Sequence, residues 1–171
     1  DSELTTICAN AFSNSSIETL SFPPNLKELE EGWCSFSTKL KMITVSPNNP
    51  FFISLNSQII VGKNDPNDEI YENLIFVSRN CREITIPSFI KRINPHSFQC
   101  CEKLVSISFE KNSELLSIGR YSFTASTSLK QIRIPSKVLE ICDFSFFQCK
   151  LLEKVEFSED SELQSIGKYS F

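Results

Sequence analysis

Apolar residues recur along this chain as a triplet spaced three and then two positions apart. It appears as Leu104, Ile107 and Phe109 in LVSISF, as Leu129, Ile132 and Ile134 in LKQIRI, and as Leu152, Val155 and Phe157 in LEKVEF. Earlier copies are Ile17, Leu20, Phe22; Leu40, Ile43, Val45; and Cys81, Ile84, Ile86. The middle positions lie 23, 25 and 23 residues apart from Ile84 to Val155, and 23 apart between Leu20 and Ile43. Between triplets runs a second limb, an aliphatic pair three apart followed five residues later by Phe. Its copies are Leu4, Ile7, Phe12; Ile90, Ile93, Phe98; Leu115, Ile118, Phe123; Val138, Ile141, Phe146; and Leu163, Ile166, Phe171. Repetition extends to whole phrases, since SELLSIGRYSF at 113–123 returns as SELQSIGKYSF at 161–171. One copy departs: Leu26 and Leu29 lead to Cys34, leaving Trp33 or Phe36 to supply the missing ring.

Apolar residues three apart also suit a helix face. Here, however, the triplets are rich in β-branched and aromatic residues, and Pro23, Pro87 and Pro135 close three of them. Proline fixes φ and removes a donor, so each triplet predicts a short strand that turns sharply. One such coil cannot bury its own apolar edge, whereas stacked coils bury a continuous one. The predicted fold is therefore mainly β: a right-handed solenoid of stacked coils of 23–25 residues with short parallel strands. Phe12, Phe98, Phe123, Phe146 and Phe171 are expected to form a buried column, each contributing about 1.5–3 kcal/mol of burial.

The unit at 129–152, LKQIRIPSKVLEICDFSFFQCKLL, resembles the BspA-type, or Treponema pallidum-type, leucine-rich repeat, and the likeness covers nearly the whole chain. It implies a leucine-rich-repeat solenoid without enzymatic activity. It also implies a surface or secreted protein, of a family of bacteria and parasitic protists implicated in host adhesion. Positions carried over are structural: the triplets, the Phe column, and Cys101 and Cys149 three after Phe. Cys34, Cys81, Cys8 and Cys142 depart from the pattern, the last two standing where Gly119 and Gly167 stand in sister coils.

The whole of 1–171 reads as a single solenoid, interrupted where Ile43 and Ile84 stand 41 residues apart. Residues 48–80 are the predicted insertion, a hairpin with QIIV at 58–61 and LIFV at 74–77 flanking a polar tip. The tip carries Asp65, Asn67, Asp68, Glu69 and Glu72, but lacks the sixth-position Gly and twelfth-position Glu of a calcium loop. It reads as a solvated acidic loop, with no metal and no cofactor expected.

With 171 residues, 17 basic and 21 acidic side chains and a pI near 5.1, the chain argues against nucleic acid as a partner. It shows neither an apolar run long enough to span a bilayer nor a signal-like start. Seven cysteines form no C-x-x-C pair. Cys101 and Cys149 fall two coils apart, ~10 Å, beyond disulfide reach. The cysteines are read as reduced structural residues, with Cys100 the expected exposed thiol. The sole imidazole, His96, has Gly32, Tyr121, Phe144 and Tyr169 as its equivalents, which speaks for a variable surface or semi-buried position rather than a catalytic base.

What remains is surface. Alternation along each strand turns two columns outward. One is Ser21, Thr44, Thr85, Ser108, Arg133 and Glu156; the other is Thr19, Met42, Glu83, Ser106, Gln131 and Lys154. Six strands at ~4.8 Å predict a ribbon of roughly 25 Å, suited to a protein or glycan partner. The function read from this is an interaction module of a cell-surface or secreted protein; the alternative is a spacer or cytoplasmic scaffold. Asn14-Ser15-Ser16 is a glycosylation sequon compatible with export. Leu163, Ile166 and Phe171 read as core residues of an unfinished turn, so a longer array or end-to-end self-association is expected.

Overall fold

The computed structural model describes residues 2–171. Its described residues form short strands and turns and no helix. Each triplet makes a four-residue strand: Thr19–Phe22, Met42–Val45, Glu83–Ile86, Ser106–Phe109, Gln131–Ile134 and Lys154–Phe157. Each second limb makes a two-residue strand: Thr6–Ile7, Glu28–Leu29, Arg92–Ile93, Ser117–Ile118, Glu140–Ile141 and Ser165–Ile166. Partners are parallel and offset by one repeat, as in Ile84 against Ile107 and Ile118 against Ile141. This is the stacked-coil geometry that the period requires.

The six long strands do not make one ribbon. They form three separate two-stranded sheets, in which Thr19–Phe22 pairs with Met42–Val45, Glu83–Ile86 with Ser106–Phe109, and Gln131–Ile134 with Lys154–Phe157. Four short strands instead join a seven-stranded sheet that continues into the insertion. There Asn73–Val77 runs parallel to Arg92–Ile93 and antiparallel to Ile59–Gly62. The latter pairs antiparallel with Phe52–Ser54, so the insertion adds a third strand to the expected hairpin. Asn49, at the start of the insertion, positions that strand: its side-chain oxygen accepts from the Phe51 and Phe52 N–H groups at 2.8 Å.

The arc around each Phe is not a strand. It is held by two left-handed residues four apart: Asn10 and Asn14, Gly32 and Phe36, His96 and Cys100, Tyr121 and Ala125, Phe144 and Gln148. This conformation lets arcs hydrogen-bond coil to coil, as in Phe98 N–H to Ser122 C=O at 2.8 Å and Phe123 N–H to Ser145 C=O at 2.7 Å. Phe98, Phe123, Phe146 and Phe171 stack with centroids 4.4, 4.8 and 5.0 Å apart. Those spacings match the ~4.8 Å separation of adjacent strands, so the repeat itself dictates the ring stacking. Phe12 is not part of this column. It packs edge-on against Trp33, which also meets Phe22 and Phe76 and so supplies the bulk missing at Cys34; Phe36 points to solvent.

The core is accordingly split in two. One cluster runs from Ile59 to Cys149 through the Phe column, the other from Ile7 to Phe76 around Trp33. Leu4, Ile166 and Phe171, assigned to the apolar interior by the pattern, are about half exposed, at 45%, 51% and 53%, because each lies on a coil with a neighbour on one side only. No helix of the described residues is long and apolar enough to cross a membrane.

Candidate interaction face

All twelve side chains assigned to the two outward columns are exposed. The first and third residues of each long strand point away from the core, because successive side chains in a strand alternate. Pairing sets them side by side: Thr19 with Met42, Ser21 with Thr44, Glu83 with Ser106, Thr85 with Ser108, Gln131 with Lys154, and Arg133 with Glu156. The hydroxyls bond laterally, Ser21 Oγ to Thr44 Oγ1 and Thr85 Oγ1 to Ser108 Oγ, both at 2.8 Å. Each hydroxyl keeps acceptor capacity for a partner. In the last sheet charge replaces hydroxyl. Lys154 Nζ lies 2.5 Å from Glu156 Oε1. That bond, aided by the Arg133 charge, holds Glu156 below the ordinary carboxylate range. Arg133 has no ion-pair partner among the described residues.

His96 does not belong to this face. It begins a second ring stack, His96 on Tyr121 on Phe144 on Tyr169, at 5.2, 4.9 and 5.2 Å. All four residues have φ between 53° and 60°. All four are rings at one position of the repeat, the column already visible as the equivalents of His96; what the letters did not show is the shared left-handed backbone that stacks them. The fifth equivalent, Gly32, is left-handed at φ 73°, and a Cβ there would come within 2.8 Å of Ser35 Oγ. His96 Nδ1 lies 3.2 Å from Ser35 Oγ and 3.1 Å from Gln99 Oε1, and burial lowers its pKa from the ordinary 6.5.

Between the two core clusters sits Arg79, 3% exposed. Its guanidinium donates to Ser97 C=O at 2.8 Å and His96 C=O at 3.3 Å, lies 3.6 and 3.7 Å from Cys34 Sγ and Cys101 Sγ, and rests on the Phe76 ring at 4.7 Å. No sequence pattern marked a buried cation here, because Arg79 belongs to the insertion and has no counterpart in sister coils.

The seven cysteines are unbridged. Cys100, the expected exposed thiol, is buried, because the left-handed arc turns it inward; Cys8 is the exposed one. Burial pushes the Cys100 thiol up to about 11 and Cys149 up to about 12, so neither is a ready nucleophile. Position three after Phe has a bonding role. Ser126 Oγ donates to Phe98 C=O at 2.9 Å, Cys149 Sγ to Phe123 C=O at 3.1 Å, and Ser37 Oγ to Phe12 C=O. Among the described residues no three His, Cys, Asp or Glu side chains are grouped to hold a metal. In the acidic tip, Lys63 Nζ already takes the carbonyls of Pro66 and Asp68, at 2.9 and 2.7 Å.

These features define a parallel-coil β solenoid of the leucine-rich-repeat class. The profile of the BspA-type leucine-rich repeat region matches in six copies, over residues 1–59 and 68–171, and the chain belongs to that family. The unmatched residues, 60–67, are most of the Ile59–Gly62 strand and the start of the insertion's polar tip. No curated protein matches the sequence. Among solved structures, the chain is similar to the pneumococcal vaccine antigen PcpA, with a TM-score of 0.75 and 21% identity over 99% of this chain and 44% of that one. A leucine-rich cell surface protein of Faecalibacterium prausnitzii matches at 0.61 and 19%, covering 90% of this chain and 51% of that one. A leucine-rich-repeat protein of Eubacterium ventriosum matches at 0.63 and 18%, covering 95% and 60%. The chain thus spans about half the length of these structures, and the likeness is one of fold.

Proposed function

We propose that this chain is the protein-interaction module of a cell-surface or secreted leucine-rich-repeat protein, with the outward columns of the long strands as its contact surface and host attachment as one use. The observation that carries this reading is the set of twelve exposed side chains held in register by the coil stack. A surface of this kind is pre-organised, so a partner does not have to order it on binding. Two fold relatives are described as a vaccine antigen and a cell surface protein, which supports the proposed location.

The test is binding of the labelled chain to immobilised extracellular host proteins and to cultured epithelial cells, compared with a face variant carrying Thr85→Arg and Ser108→Glu. Saturable binding that the variant loses supports the reading; binding that is absent, or indifferent to the face, overturns it. A second reading, an intracellular spacer or scaffold, draws on two observations. The hydroxyl pairs already satisfy one another within the sheet, and seven thiols stand unbridged, as is usual in a reducing compartment.

A further inference from the structure

The turns that follow the long strands alternate in length. Ile86 to Ile90 and Ile134 to Val138 span four positions, whereas Phe109 to Leu115 and Phe157 to Leu163 span six. The short turn at 135–137 is therefore flanked by two longer ones, at 110–114 and 158–162, which stand about 10 Å apart across two coil spacings. Between them lies a groove of about 790 Å³, floored by Ile134 and Pro135, with Lys111, Arg133 and Lys137 along it. It sits over the break where Ser106–Phe109 and Gln131–Ile134 are not hydrogen-bonded. An adjoining recess of about 650 Å³ shares Arg133 and Ser158 but is lined by Glu156, Glu159 and Asp160.

The groove also offers backbone groups. The N–H groups of Lys111, Asn112 and Ser113 donate to no acceptor among the described residues. Asn112 is left-handed at φ 61°, a conformation that gathers successive N–H groups toward one side and suits an anion. Pro135 has no N–H to give Phe109 C=O, where the corresponding Glu110 N–H reaches Ile86 C=O at 3.0 Å. Donors and an acceptor are thus left at a notch one strand wide.

We propose that this notch docks a short extended segment of a partner protein bearing an acidic residue and, two positions on, a basic one. Arg133, unpaired, meets the carboxylate with Lys111 and the 111–113 amides, and Glu156 and Asp160 receive the cation. Residues two apart in an extended chain share one face and lie about 6.6 Å apart, enough to reach from one coil to the next. A polyanion is disfavoured, because the acidic recess and the net charge of -4 repel it.

This inference rests on the interaction reading above and names the site within it. The probe is the capped peptide Gly-Ser-Glu-Ser-Lys-Ser-Gly, titrated into the intact chain at low salt and followed by amide chemical shifts. Saturable shifts at Lys111, Asn112 and Ser113 are expected, with binding at least about tenfold weaker for Arg133→Glu. A Glu/Glu version and hexaglutamate should bind less well. No shift, equal binding of hexaglutamate, or an unaffected Arg133→Glu variant overturns the notch. Host binding that survives Lys111→Glu with Arg133→Glu, yet is lost with Thr85→Arg and Ser108→Glu, sinks the notch while leaving the interaction module intact.

Discussion

His96 is a residue at which this fold responds to pH near neutrality. Burial lowers its pKa from 6.5, against the opposing pull of Gln99 and Glu31. The unfolded chain therefore binds a proton that the folded chain resists, and stability rises with pH through this range. Its contribution is complete above about pH 6.5 and declines as the pH falls from there through the folded-state value. Urea midpoints measured from pH 7.5 to 5 should fall, and His96→Asn, which tolerates the left-handed backbone, should flatten that slope; a slope unchanged in the variant would assign it to other groups. At the position three after Phe, Ser126→Ala removes one of two donors to the buried Phe98 carbonyl, which keeps the Cys101 N–H at 3.0 Å, and should cost about 0.5–1.5 kcal/mol, whereas Ser126→Cys, as at Cys149, should cost less. This column was visible in the sequence at Cys101 and Cys149. The burial of Cys100 and the guanidinium of Arg79 were not, because each depends on backbone turns that no residue letter encodes.

Strands and arcs divide the work of each coil. The triplets and second limbs were legible because strand alternation leaves a letter at every buried position. Trp33 was legible as a stand-in because the period marks where a ring is missing. The left-handed arcs were not, since φ leaves no mark in residue type at a position that holds Gly32, His96, Tyr121 and Phe144; nor was the Phe52–Ser54 strand, although Phe51, Phe52 and Ile53 are apolar. The Phe column dominates the energetics of these arcs. Phe123, fully buried between Phe98 and Phe146, should cost about 3–5 kcal/mol on substitution by Ala, and exposed Phe36 less than about 0.5, both read from chemical denaturation. Equal costs at the two positions would mean that the ring stack is not a principal source of stability.

Across the whole molecule, two apolar clusters meet at Arg79 rather than merging. Elsewhere the arcs are bonded backbone to backbone, but here Ser35, Phe36, His96 and Gln99 meet through side chains, with the guanidinium wedged beside them. In a stack whose coils touch only their neighbours, such a joint is where cooperativity weakens. Arg79→Leu removes the guanidinium bonds to the Ser97 and His96 carbonyls, which keep the Val77 and Gln99 N–H groups as donors, and should cost about 1–3 kcal/mol. In hydrogen exchange it should release amides of the Trp33 cluster before those of the Phe98–Phe146 stack; uniform release would show the joint to be no weaker than the rest. The continuous ribbon expected from the period is three sheets: the insertion lies between Met42–Val45 and Glu83–Ile86, and the longer turn of the 25-residue coil lies between Ser106–Phe109 and Gln131–Ile134, both departures already present in the spacing. That alternation of turn length separates two inheritances. The spine answers to the triplets, while the outer topography answers to a pair of residues gained or lost in an exposed bend, at a closure cost of well under about 1 kcal/mol. A lineage built this way can recarve its contours, coil by coil, without having to solve the folding problem anew.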